Sequence, residues 1–377
     1  MDEGSIEIRS ATDDDVAAIV ALVADRVGTD DAQEARLVLD DPSFDRSRWT
    51  VAVEGGLVVS TMASFALELR IGTVALAGSM IEFVTTDVAY EHRGLVRRQF
   101  AVHHAMAAER DELVQFIVGI PYFYRRLGYE YAVPVPGYHT IRTEPTARVP
   151  EGFEVRDAIP RDVPAIQALQ RATAERVDLE VRVPDRLWRW YLESPVYDVR
   201  LAEHDEVVKA AWRSYRTQEE RIILDLAATS AAGVEPALSD GDSDDGPLRV
   251  LTRPGLSDWL DRYGEHEESR DAFFVRVGDP AALLDALRPE LERRLAASQL
   301  GSESGEALIS FYTSSIRFAY ENGWIGAFVP GPPIQAPVSA GGSGVPPDLV
   351  AALMVGPQTV EQLDALHPMC CPAHSDH

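Results

Sequence analysis

Residues 90–98 read Tyr-Glu-His-Arg-Gly-Leu-Val-Arg-Arg, and they concentrate positive charge in a chain of net charge −26. Gly94 lies between Arg93 and the segment Leu95-Val96-Arg97. Apolar residues at helical spacing follow to about Arg110. A turn of this kind opens a helix whose first N–H groups have no intrahelical partner, and the macrodipole adds positive potential there. The chemistry this suits is capture of an anion such as a phosphate or pyrophosphate. His92, Arg93 and Arg97 would line that cradle. A second group with chemical potential follows at residues 122–129, Tyr-Phe-Tyr-Arg-Arg-Leu-Gly-Tyr, where Tyr122 and Tyr124 are phenols two residues apart. Glu82 is a carboxylate in an otherwise apolar run, with His103 and His104 in the following helix. Core or surface roles compete with a catalytic one for each of those last three.

Three elements must position these groups. Residues 81–86, Ile-Glu-Phe-Val-Thr-Thr, read as a buried strand ending at the turn. The helix comes next, and a second strand over residues 113–118 leads into the tyrosine segment through Gly119 and Ile120. Strand, glycine turn, helix and strand form a βαβ-like unit.

The two halves of this unit together resemble the GNAT-type N-acetyltransferases, in which an Arg/Gln-x-x-Gly-x-Gly/Ala loop is followed by a Phe-Tyr-x-x-x-Gly-Phe/Tyr motif. Arg93-Gly94-Leu95-Val96-Arg97 and Phe123-Tyr124 with Gly128-Tyr129 match. Glu91 stands where the first Arg or Gln is usual, and Val96 stands at the second Gly/Ala. The resemblance implies acetyl-CoA as cosubstrate. Its contacts would come from Val84, Thr85, Thr86, His92, Arg93, Gly94, Leu95, Val96, Arg97, Gly119 and Ile120. The end of the first strand would pair with the pantetheine arm and offer a backbone N–H to the oxyanion. Tyr124 would be the general acid that protonates the leaving thiolate, with Tyr122 as the alternative. The base implied by the resemblance is the C-terminal carboxylate, here that of His377, with Glu82 as a second candidate.

The start of the chain recurs. Residues 6–11, Ile-Glu-Ile-Arg-Ser-Ala, and the helix after them are echoed at residues 153–158, Phe-Glu-Val-Arg-Asp-Ala. Arg9 matches Arg156, Asp15 matches Asp162, Ile19 matches Ile166 and Leu22 matches Leu169. Thr12 and Asp15 have capping-box spacing. This is a duplicated domain start, and the second copy lacks the Gly-Leu-Val-Arg segment. Residues 229–246 are rich in Ser, Asp and Gly and read as a solvated acidic loop. After residue 271 come a strand, a helix opening at Asp279-Pro280, strands over 306–312 and 315–320, and an Asn322-Gly323 hairpin turn. That last region resembles the sterol carrier protein-like fold.

The expected fold class is α/β (α+β): a GNAT-type domain over 1–148, a degenerate copy over 149–270, a sterol carrier protein-like domain over 271–367, and a Cys/His tail over 368–377. This order is similar to the enhanced-intracellular-survival family. The family implies a homo-oligomer, a hexamer. The acceptor is expected to be a primary amine, and the acidic field suits an aminoglycoside-like, polyamine or lysine one. The alternative is a non-catalytic acyl-CoA or lipid-binding protein.

Composition narrows the setting. The 61 acidic residues against 35 basic ones, of which only Lys209 is lysine, argue against nucleic-acid binding. They favour a halophilic source, where molar salt screens like charges within about 3 Å. A negative field that collects cationic substrates is the other reading. No apolar run is long enough to span a membrane and the N-terminus does not read as a signal peptide, so a cytoplasmic location is expected. Cys370, Cys371 and the histidines around them fit no zinc spacing, and no metal is expected.

Overall fold

The structure is a computed structural model that describes residues 6–120, 122–142, 149–174, 177–241, 246–253 and 255–366. The elements that build the first sheet are β1 (Glu7–Ser10), α1 (Val16–Arg26), α2 (Thr29–Asp40), β2 (Trp49–Glu54), β3 (Leu57–Ile71), β4 (Val74–Thr86), α3 (Leu95–Glu109), β5 (Val114–Ile117) and β6 (Glu130–Pro134). The sheet runs β1-β2-β3-β4-β5, then the strand Ala272–Val277, then β6. β4 and β5 pair in parallel, as a βαβ crossover requires, while β1, β2 and β3 are antiparallel neighbours.

The sheet is covered on two faces. Ile19, Val23, Ala35 and Leu39 of α1 and α2 pack with Trp49 and Val51 in one core. Phe100 of α3 packs with Met62, Ile81, Ile117, Tyr124, Tyr129 and Phe274 in another. Ile19 and Val23 on α1, and Ala35 and Leu39 on α2, are each four residues apart and line up one apolar stripe per helix.

The chain divides into two compact units. One holds Met1–Leu67, Thr73–Val133 and Phe273–His377, and the other holds Glu68–Gly72 and Pro134–Ala272. The C-terminal region, expected as a separate domain, therefore groups with the first one. It supplies the sheet strand Ala272–Val277, which pairs antiparallel with β5. Its helix Pro280–Ala297 starts where Asp279 accepts from the N–H groups of Ala281 and Ala282, and it covers strands Ser304–Ser310 and Ser315–Glu321. Asn322 and Gly323 both have positive φ, as a two-residue hairpin of this type requires. Glu290 of that helix is buried and accepts from the N–H and hydroxyl of Thr73 at the start of β4.

The first domain also ends earlier than residue 148. The strand Tyr138–Ile141 lies in the second unit's sheet, between Leu248–Leu251 and Gly264–Glu267. The second unit repeats the chain's opening in its geometry. Arg9 forks onto Asp15 at 2.6 and 2.9 Å, and Arg156 forks onto Asp162 at 2.7 and 3.0 Å. In each copy the aspartate also accepts the backbone N–H three residues before it. Residues 231–239 correct the expectation of a loop. They form the helix Ala231–Ser239, capped by Ser230, because Val234, Ala237 and Leu238 are buried in the second unit's core. Composition rich in small and acidic residues hid these three apolar positions.

Candidate active site

The site is built at the open ends of β4 and β5. Their pairing covers Gly78–Met80 against Val114–Phe116 and stops there. β4 continues for six more residues, so residues 81–86 leave one backbone edge without β5 as partner. A bulge reinforces the divergence: Phe83 has φ of 53°, and its ring stacks on Trp49 at 5.0 Å. Ile81 and Val84 pack on the α3 side of the sheet while Phe83 packs on the α1–α2 side. A bulge of this kind re-aims a strand's side chains and ends its pairing.

Beyond β4 the chain turns through His92, with φ of 62°, and Gly94, with φ of 74°. Gly94 precedes α3 in the left-handed region and offers no side chain to cap it. The first intrahelical bond is Arg98 N–H to Gly94 O, which leaves the N–H groups of Leu95, Val96 and Arg97 as free helix-end donors. A β-carbon at Gly94 would meet nothing within 4 Å, so this end faces open space. His92, Arg93 and Arg97 are exposed around it. The two departures from the sequence motif are accommodated. Val96 turns its side chain into the α3 core. Glu91 is drawn aside by Arg26, which pairs with it at 2.9 Å and also donates to the Thr86 carbonyl at 3.1 Å.

Tyr124 opens a short 3-10 turn, Tyr124–Leu127, that closes at Gly128 with φ of 86°. Its ring is 6% exposed and rests against Phe100, Phe123, Tyr129 and Phe274. Its hydroxyl lies beside Gly119, where an added β-carbon would sit 3.2 Å from it. Burial pushes this phenol up to about 12, and the Glu82 charge adds to the shift. Tyr124 is therefore a protonated donor at neutral pH. Tyr122, by contrast, is 68% exposed and edges onto Tyr131, away from that packing. Ile120 is exposed as well.

Glu82 is exposed on β4, one residue before Phe83. Loss of hydration raises its carboxyl to about 7, and the nearby charges of Glu34 and Asp31 on α2 push the same way. His103 and His104 are both lowered to about 4 by burial and so are neutral at physiological pH. His103 is wholly inside, with Nε2 3.0 Å from Thr50 Oγ1. His104 reaches Tyr129 Oη at 3.3 Å. Val84, Thr85, Thr86 and the Gly94 turn thus lie on one continuous segment leading into α3, and the Glu82 charge adds to the upward shift of the Tyr124 phenol. His377, with Cys370 and Cys371, lies outside the described residues. Among the described residues no group of three metal-ligating side chains gathers, and no helix is long and apolar enough to cross a membrane.

Residues 7–132 match the acetyltransferase (GNAT) domain family. Two Streptomyces griseus proteins, an uncharacterized N-acetyltransferase and an uncharacterized N-acetyltransferase ORF5, are each 33% identical over 128 residues. That stretch is 33% of this chain, and the chain spans 31% of the length of each. Solved structures extend the likeness across the whole chain. A GCN5-related N-acetyltransferase from Kribbella flavida aligns over 93% of this chain and 88% of its own, at 16% identity and a TM-score of 0.66. Eis1 from Mycobacterium abscessus aligns over 97% and 94%, at 16% identity and a TM-score of 0.63. A probable N-acyltransferase from Enterococcus faecalis aligns over 98% and 94%, at 10% identity and a TM-score of 0.74. At such identities the likeness is one of fold: two GNAT-like mixed sheets followed by a small C-terminal sheet.

Sequence reasoning ranked Glu82 behind the C-terminus as base and passed over Arg26, Ser60 and Gln99 entirely. Glu82 carries a readable signal, a lone carboxylate inside an apolar strand. The other three are joined to the site only by tertiary contacts.

Proposed function

We propose that the protein is an acyl-CoA-dependent N-acetyltransferase whose acceptor is a primary amine. The observation that carries this reading is the divergence of β4 from β5 ahead of a helix end opened by Gly94. A free strand edge and free helix N–H groups are what a pantetheine amide and a pyrophosphate need. An acyl-CoA supplies the thioester carbonyl that the amine attacks. The chain would hold it through the backbone of Val84, Thr85 and Thr86 and the N–H groups of Leu95, Val96 and Arg97, with Arg93 and Arg97 adding charge. Gly119 and Ile120 would border the thioester end. Backbone N–H groups at the bulged part of β4 would stabilise negative charge on the carbonyl oxygen.

Glu82 is our candidate for the base. A carboxylate near neutrality can take the amine's proton and return it to solvent. Tyr124, fully protonated and held beside Gly119, would deliver a proton to the departing thiolate. The C-terminal carboxylate of His377 is the competing base. The halophilic reading of the acidic surface, the hexameric assembly and the choice among aminoglycoside-like, polyamine and lysine acceptors are extensions of the same proposal.

The test is release of free CoA from acetyl-CoA against a panel of amines, with the product's mass read for one added acetyl group. Acceptor-dependent release supports the assignment. Stoichiometric binding of acetyl-CoA without turnover on any amine would favour the non-catalytic acyl-CoA-binding alternative.

A further inference from the structure

A chain of buried polar side chains runs behind the strand end. Ser60 of β3 has no exposed surface, and its Oγ lies 2.9 Å from the Thr85 carbonyl oxygen, 2.8 Å from Thr86 Oγ1 and 2.8 Å from Gln99 Oε1. Its one proton serves one of the two pure acceptors at a time, while the Thr86 hydroxyl can donate back to it. Gln99 belongs to α3 and is also fully buried. Its Nε2 lies 3.3 Å from both the carbonyl oxygen and Oγ1 of Thr50, and Thr50 Oγ1 meets His103 Nε2 at 3.0 Å.

The placement of this chain matters more than its length. Past Met80, β4 has lost β5, and β3 is its remaining strand neighbour. Ser60 holds Thr86 there by accepting from its hydroxyl, while its own proton goes either to the Thr85 carbonyl or to Gln99. The same oxygen is bonded to a residue of the helix whose first turn follows Gly94. One buried hydroxyl therefore links the strand end to the helix end. In an apolar interior, polar groups are retained only when paired, and an all-apolar contact would pack here without fixing a distance.

We infer that Ser60 and Gln99 are positioning residues that fix the spacing between the two halves of the acyl-CoA site, the strand end at Thr85–Thr86 and the helix end at Leu95–Arg97. This inference rests on the proposed acyl-CoA site. It requires that the two halves of the ligand be bound together better than either alone, through a geometry the Ser60–Gln99 link holds.

The test is calorimetric titration of the full chain and of Ser60→Ala and Gln99→Met with two probes, acetyl-CoA and its adenosine bisphosphate half alone. Ser60→Ala removes one oxygen, and Gln99→Met keeps the side-chain volume. Acetyl-CoA should bind each variant roughly tenfold more weakly, the scale of one lost hydrogen-bond connection. The nucleotide half should bind as it does to the parent protein, and kcat at saturating acetyl-CoA should be preserved. Equal acetyl-CoA affinity in both variants overturns the inference. Parallel weakening of both probes also overturns it, because that is general loosening of the site. A parent protein that binds no acetyl-CoA overturns the proposed function itself.

Discussion

Glu82→Gln is the perturbation that most sharply separates the two candidate bases. The residue sits beside the positive-φ Phe83 of β4, close enough to feel the charges of Asp31 and Glu34, and its carboxyl is raised from 4.5 to about 7, first by lost hydration. A base must be ionised to work, so the activity of the parent protein should fall on the acid side with a midpoint at about pH 7. One pH unit below that midpoint about a tenth of the enzyme is competent, and one unit above about nine-tenths is. Glu82→Gln keeps shape and removes the base. Turnover at pH 7 should fall roughly 10²–10⁴-fold, with partial recovery at high pH as the amine becomes neutral unaided. Stability carries an independent signature. The folded chain keeps the Glu82 proton up to about pH 7, whereas the unfolded chain releases it near 4.5. The residue's contribution is therefore fully present below about 4.5 and is lost as the pH rises through about 7. The neutral Gln variant should match the parent's Tm at the acid end and exceed it above pH 7. The assay is a pH series of initial rates with continuous detection of CoA thiol, paired with thermal melts in the same buffers. A variant with full activity and the parent's acid limb would refute the assignment. Loss of that limb on removing the last residues of the chain would give the role to His377 instead.

Three further outcomes follow from the same geometry. Tyr124→Phe removes only a hydroxyl from a buried ring, so acetyl-CoA affinity and Tm should hold while turnover falls roughly 10²–10⁴-fold, with no recovery at high pH. Gly119→Ala would set a β-carbon 3.0 Å from Tyr124 Cε2 at a backbone φ of 154°, and should lower kcat roughly tenfold to a hundredfold by displacing the ring. If the net charge of −26 is a salt adaptation, Tm should climb steeply between dilute buffer and molar KCl, and a flat response would favour steering of cationic acceptors.

Much of the first sheet was legible because its signals are local. Gly94 announces the start of α3 and Asp279-Pro280 the long C-terminal helix, both where the structure has them. The repeat was legible from Arg9 with Asp15 and Arg156 with Asp162, because a fork over six residues is set by nearby chain. Sheet membership was not. Tyr138–Ile141 crosses into the second unit and Ala272–Val277 enters the first sheet, and neither strand carries a mark of its partner. The helix Ala231–Ser239 was hidden because its small buried residues resemble loop composition. At the site, the glycine turn that opens α3 was legible as a local signal. The elevation of Glu82 was not, since it arises from hydration lost to the folded surroundings and from the charges of α2 side chains about fifty residues earlier.

The central claim is that an acyl-CoA binds at the Gly94 turn, and calorimetric titration of acetyl-CoA into the parent protein and Gly94→Asp tests it most directly. An added side chain at Gly94 meets no neighbour, and aspartate is among the residues that tolerate left-handed backbone, so the fold should survive with only a small drop in Tm from the strained φ of 74°. The new carboxylate would stand where the pyrophosphate must approach the free N–H groups of Leu95–Arg97. The account predicts one site per chain in the parent protein and no measurable binding in the variant. Equal affinity in the two, or no binding by the parent, would contradict it.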